Sequence, residues 1–130
     1  MRNRDVRHVV IYGYSHGGGS THDLASRLTR RRRRIGNFDI PLTAYIDAIR
    51  QLTVLTEVRR PPGSLFNMNF LQEATDEPFL LDGTTILDAQ VDDFELNLDA
   101  RGETIDHFDI DESSLVLPPI FDQITRRVER

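Results

Sequence analysis

The sequence predicts an α/β domain, a parallel sheet with flanking helices, on three observations. A short β-branched and aromatic run, His8 to Tyr14 (HVVIYGY), ends in a cluster of small residues, SHGGGST. Leucines at helical spacing follow, Leu24 and Leu28. A second apolar run, Phe38 to Ile46 (FDIPLTAYI), comes next. Continuous apolar runs mark strands covered on both faces, and a helix between two of them makes a right-handed crossover to a parallel neighbour the natural connection.

The first helix is expected over Asp23 to Arg34, with Thr21 or Ser20 as its N-cap. Arg30 to Arg34 stand just before Gly36, and cations in a last turn are favoured by the negative end of the helix dipole. Pro41 weakens the second strand at its centre, because proline has no N–H to give to a ladder. Arg59 to Ser64 (RRPPGS) reads as a turn. Between Leu65 and Thr104 the segments PFLL, TTIL and FELNL are candidate short strands in an otherwise irregular stretch rich in Asp, Gly and Asn. After a polar loop from Asp109 to Ser114, Pro118 or Pro119 opens a terminal helix. Ile120, Ile124 and Val128 form its apolar stripe.

A chain of 130 residues, 38% hydrophobic and 28% charged, suits a single soluble globular domain, here residues 1–130. No apolar run approaches the ~20 residues that span a bilayer. No secretory leader is visible, so the expected location is cytoplasmic. The absence of Cys excludes disulfide frameworks, thiolate nucleophiles and Cys-based zinc sites. All 16 basic residues are Arg, which removes lysine-dependent chemistry. No cofactor or metal is expected.

The net charge of -5 hides an asymmetry: residues 1–34 carry nine Arg against Asp5 and Asp23, and residues 73–112 carry fourteen acids against Arg101 alone. Opposite charge draws such segments together in a fold. Five consecutive arginines on a helix point in every direction, and no aromatic residues interleave with them, so a nucleic-acid partner is not expected.

Gly13-Tyr14-Ser15-His16-Gly17 is G-x-S-x-G between a predicted strand and a predicted helix, the setting in which a serine hydroxyl can be held on a sharp, strained turn. Side chains two residues before and after that serine are expected to collide with neighbouring backbone, which is the reason for glycine at 13 and 17. At a helix N-terminus the N–H groups and the positive dipole end favour a developing oxyanion, and the N–H of His16 is the first candidate donor. A glycine-rich turn of this kind also suits phosphate. A Walker A loop, however, needs Lys where Gly19 stands, and a dinucleotide fingerprint needs Gly where His22 stands.

A serine nucleophile needs a base. His8 lies at the strand's entry, the end opposite the turn. His22 lies one turn into the expected helix, facing solvent. His107 sits late in the chain, in the polar loop Asp106-His107-Phe108-Asp109, and fits the chain order Ser, acid, His. For the acid, Asp47 follows Ala44-Tyr45-Ile46 at the carboxyl end of the second expected strand, on the sheet edge where Ser15 emerges. There a carboxylate can hold the imidazole in its working tautomer. The same position suits a cap for a helix beginning at Ala48.

IYGYSHGGGSTHDLASRL, TAYIDAI and IDHFDID together resemble the nucleophile elbow, acid strand and histidine loop of lipase- or esterase-like α/β hydrolases, in the same order across residues 8 to 128. The resemblance implies a partial α/β-hydrolase fold acting on a small-molecule or lipid ester, with Ser15 as nucleophile, His107 as base, Asp47 as acid, and His16 in the oxyanion hole. In much of that superfamily the acid follows the next strand along, so Asp82 and Asp88 stand as substitutes. Members also place four or more strands and a second oxyanion-donor loop before the elbow strand, whereas seven residues precede His8 here. The chain is therefore expected to hold the carboxyl-terminal half of the fold, with its first strand open at one edge. Self-association, or pairing with the missing half, would cover that edge. The loss of one oxyanion donor predicts activity lowered by ~10²- to 10³-fold. In the extreme, the chain is an inactive remnant serving as an interaction module.

Overall fold

A computed structural model describes residues 6–49, 59–73 and 83–129. Strand β1 (His8–Tyr14) leads through a tight turn into helix α1 (Gly17–Ile35), which returns to strand β2 (Asp39–Ile46). Strands β3 (Asn67–Leu71) and β4 (Phe94–Asn97) follow, then two short 3₁₀ turns at Asp99–Arg101 and Ile110–Glu112, and helix α2 (Leu117–Val128). The sheet order is β1-β2-β3-β4, and every pair is parallel. This is an α/β fold, with α1 packed on β1 and β2 and α2 packed on β2.

Strand alternation sends side chains to the two faces of the sheet. Leu42, Ala44, Ile46, Met68 and Phe70 meet Ile120 of α2, together with Leu98, Ile110 and Val116. On the other face Ile11, Phe38 and Ile40 meet Ala25 of α1, with Leu28 and Ile35 alongside. Ile40 and Leu42 have the same parity yet face opposite ways. The register explains it: His8 pairs with Asp39 but Val10 pairs with Leu42, so β2 carries one extra residue between these points. Pro41 lies in that bulge, one of the few places where a sheet tolerates proline.

Two expected elements differ in the structure. Helix α1 begins at Gly17, six residues before the expected start, so Ser20 and Thr21 are inside it rather than at its cap. Tight packing offsets the low helix propensity of glycine there, because a Cβ on Gly18 would stand 2.5 Å from Ala48 Cβ. TTIL contains no strand; Gly83 beside it makes an isolated bridge with Ile49. PFLL lies outside the described residues.

Strand β3 was not expected at all. Asn67 and Asn69 break the apolar run, yet both are buried. Hydrogen bonds permit this: Asn67 Oδ1 accepts from Thr43 Oγ1 at 2.8 Å, and Asn69 Nδ2 donates to Glu95 Oε2 and to the Thr84 carbonyl, each at 2.9 Å. Among the described residues no helix is long and apolar enough to cross a membrane.

Candidate active site

Ser15 and Asp47 are the two described non-glycine residues with positive φ, at 54° and 47°. Both stand one residue past a strand, β1 and β2 respectively, where the chain must leave the sheet abruptly. Each backbone is held at that point by a bond to the next strand. Ser15 N–H donates to the Ile46 carbonyl at 2.9 Å, and Asp47 N–H to the Phe70 carbonyl at 2.7 Å. Left-handed backbone at such residues costs of order 1–3 kcal/mol and persists only where the surroundings enforce it. The shared geometry puts both side chains on the carboxyl edge of the sheet.

His107 completes the group from far along the chain. Its Nε2 lies 2.9 Å from Ser15 Oγ, and its Nδ1 lies 2.5 Å from Asp47 Oδ2. Serine, imidazole and carboxylate thus form one continuous relay. Asp47 is fully buried and His107 is 3% exposed. Burial pushes the Asp47 carboxyl above its ordinary range, against the hydrogen bonds from Gln72 and His107 that favour the charged form.

Gln72, just past β3, is the residue that sequence reasoning missed. It is fully buried, its backbone N–H donates to Asp47 Oδ1 at 3.1 Å, and its Nε2 donates to Asp47 Oδ2 at 2.9 Å. A carboxylate taken out of water needs such donors, so a glutamine at the end of the adjacent strand was the available signal. Gly83 closes the other side: a Cβ there would fall 2.3 Å from Asp47 Oδ1.

Tyr14 holds the imidazole of His107 in place. Its ring stacks on the imidazole, with centroids 5.1 Å apart and planes 27° apart, and its hydroxyl donates to the His107 carbonyl. The turn after β1 therefore carries the serine, and the last residue of β1 clamps the histidine.

The two flanking glycines do not share one reason. A Cβ on Gly13 would lie 2.3 Å from the Gly17 carbonyl oxygen and 2.5 Å from Thr21 Oγ1, as the steric argument requires. A Cβ on Gly17 would meet nothing within 4 Å, so the close contact belongs to Gly18 instead. His16 is the N-cap residue of α1, with its N–H directly after the serine.

The other candidates lie elsewhere. His8 Nδ1 is 2.6 Å from Asp39 Oδ1 at the strands' amino ends. His22 is half-buried rather than solvent-facing, and burial lowers its pKa. Asp88 accepts from Arg60 N–H at 2.6 Å, while Asp82 lies outside the described residues. A groove lined by Asp39, Pro41, Leu65, Gln123, Arg126 and Arg127 is at the amino-terminal end of β2, away from Ser15. Among the described residues no cluster of His, Cys, Asp and Glu is arranged to hold a metal ion.

Compared with known proteins, the chain matches no family profile, no curated protein and no solved structure.

Proposed function

We propose that this chain is a serine hydrolase of carboxylic esters, built on part of a lipase- or esterase-like α/β-hydrolase fold. The observation that carries the reading is the relay at 2.9 and 2.5 Å joining Ser15, His107 and Asp47. Its members are 92 and 60 residues apart in sequence, so local chain geometry does not create it.

In this mechanism Ser15 Oγ attacks the ester carbonyl while His107 Nε2 takes its proton. The carbonyl oxygen becomes an oxyanion, stabilised by the His16 N–H and the amino end of α1. Imidazolium forms at His107, and the Asp47 carboxylate stabilises it and fixes its tautomer. His107 then gives the proton to the departing alcohol, which leaves Ser15 acylated. Water, deprotonated by the same imidazole, attacks the acyl carbon; the bond from that carbon to Ser15 Oγ breaks, His107 returns the proton to Oγ, and the carboxylic acid leaves.

A fluorophosphonate tests the reading directly, because it reacts with an activated serine and needs no knowledge of the substrate. Folded protein is expected to gain one adduct, mapped by mass spectrometry to Ser15 and lost in Ser15→Ala. A folded sample that takes up no label at Ser15 overturns the proposal.

A further inference from the structure

His107 is touched on four sides. Asp47 takes Nδ1, Ser15 takes Nε2, Tyr14 covers a ring face, and Phe108 meets the ring edge-on, with centroids 5.6 Å apart and planes at 78°. Of these four neighbours Phe108 alone is turned mainly to solvent, with 68% of its surface exposed. The ring thus touches the buried imidazole with its edge and leaves most of its apolar surface open to solvent beside it. It also has a fixed position: Asp106 Oδ1 accepts from Phe108 N–H at 2.9 Å and from Asp109 N–H at 3.0 Å, so a side-chain-capped turn sets the backbone beneath it.

The hydrolytic reading gives this ring a task. When the tetrahedral intermediate collapses, the bond between the acyl carbon and the alcohol oxygen breaks. The proton on Nε2 passes to that oxygen, so the alcohol portion of the ester must lie within hydrogen-bond reach of His107. Its carbon substituents are then beside the residues that border the imidazole. The same short loop carries Asp106, Asp109, Asp111 and Glu112 within residues 106–112, with no Lys or Arg among them. A negative leaving group would meet like charge there, whereas a neutral apolar one would gain contact with the Phe108 ring.

We propose, building on the hydrolase assignment above, that Phe108 and its acidic loop form the leaving-group side of the site and select esters of uncharged, apolar and above all aromatic alcohols. Phe108 is thereby a specificity-determining residue, contacting the substrate and taking no part in proton transfer.

Phenyl acetate, methyl acetate and 4-acetoxybenzoate share one acyl group and differ in the alcohol. First-turnover release of each alcohol, measured beside fluorophosphonate labelling of Ser15, separates the two readings. In Phe108→Ala the preference for phenyl over methyl acetate is expected to fall roughly three- to tenfold, the scale of one aromatic contact. Phe108→Leu, which keeps an apolar side chain, is expected to fall between it and the natural protein. The preference for phenyl acetate over the carboxylated 4-acetoxybenzoate is expected to shrink when salt is raised from ~0.05 to ~1 M, because screening weakens repulsion by the loop. If Ser15 is labelled and alcohols are released, but Phe108→Ala keeps the phenyl preference or salt leaves the charge preference unchanged, the leaving-group assignment fails and the hydrolase reading stands. If Ser15 takes no label, or no alcohol is released from any of the three esters, both fall.

Discussion

A methyl group added at Gly13 would press on the backbone oxygen of Gly17, which cannot move without unwinding the first turn of α1. Gly13→Ala is therefore expected to destabilise the fold by about 1–3 kcal/mol or more and to displace Ser15. Gly17→Ala enters open space at ordinary φ, and is expected to be neutral or to stabilise by up to ~1 kcal/mol through better helix propensity. Urea unfolding of both variants checks the contrast; equal losses would remove the steric account of the elbow. At this scale much was legible. G-x-S-x-G between strand and helix located Ser15, and a lone late histidine in chain order located His107. The distinction between the two glycines was not legible, since it depends on how close α1 lies to β1 and β2, a distance set by residues such as Thr21 and Ala48 rather than by the motif.

Elements were legible where apolar periodicity was unbroken, as in β1, β2 and α2. Strand β3 was hidden because its buried asparagines make their side-chain hydrogen bonds with residues outside the strand, Thr43, Glu95 and Thr84. With β3 unseen, the residue at its end was unseen as well. Gln72 is where this element reaches the site, donating to both oxygens of Asp47. Gln72→Leu leaves the backbone donor but removes the amide, so the charged carboxylate loses a partner and its pKa, already raised by burial, rises further. The acid limb of the fluorophosphonate labelling rate is then expected to move toward neutral pH, with slower labelling across the range. A limb that stays in place while labelling slows would mean that Gln72 serves packing alone. The bulge at Pro41 is an element-scale lesson of the opposite kind: the residue that counted against β2 marks where the strand changes its inward face.

For the molecule as a whole, two buried carboxylates pull the pH dependence of stability in opposite directions. Asp93 receives Arg60 Nε at 2.7 Å, Gln90 N–H at 2.8 Å and Asn67 N–H at 2.8 Å, tying the turn before β3 to the start of β4. Burial alone would push its pKa up, but these donors more than offset that and hold it below the usual carboxylate range. Its contribution is present above the unfolded value of about 3.9 and is lost as pH falls through the folded one. Asp47 is the reverse. With its folded pKa above the unfolded value, it binds a proton more tightly in the fold, so its charged form costs stability once pH rises through the folded pKa. Near pH 7, Asp47→Asn is thus expected to unfold at a higher temperature than the natural protein, although on the proposed mechanism it leaves His107 in the wrong tautomer and lowers ester hydrolysis by roughly 10⁴-fold. Asp93→Asn is expected to unfold at a lower temperature, because Arg60 keeps its burial and loses its counter-charge. Acidification protonates Asp47 first, so the Asp47→Asn curve merges with the natural one, whereas Asp93 takes its proton only below the usual carboxylate range and the Asp93→Asn curve stays apart for longer. A thermal-unfolding series from pH 7 to 3 reads this out, and an Asp47→Asn variant less stable than the natural protein at pH 7 would show that the site holds its buried charge without cost to the fold.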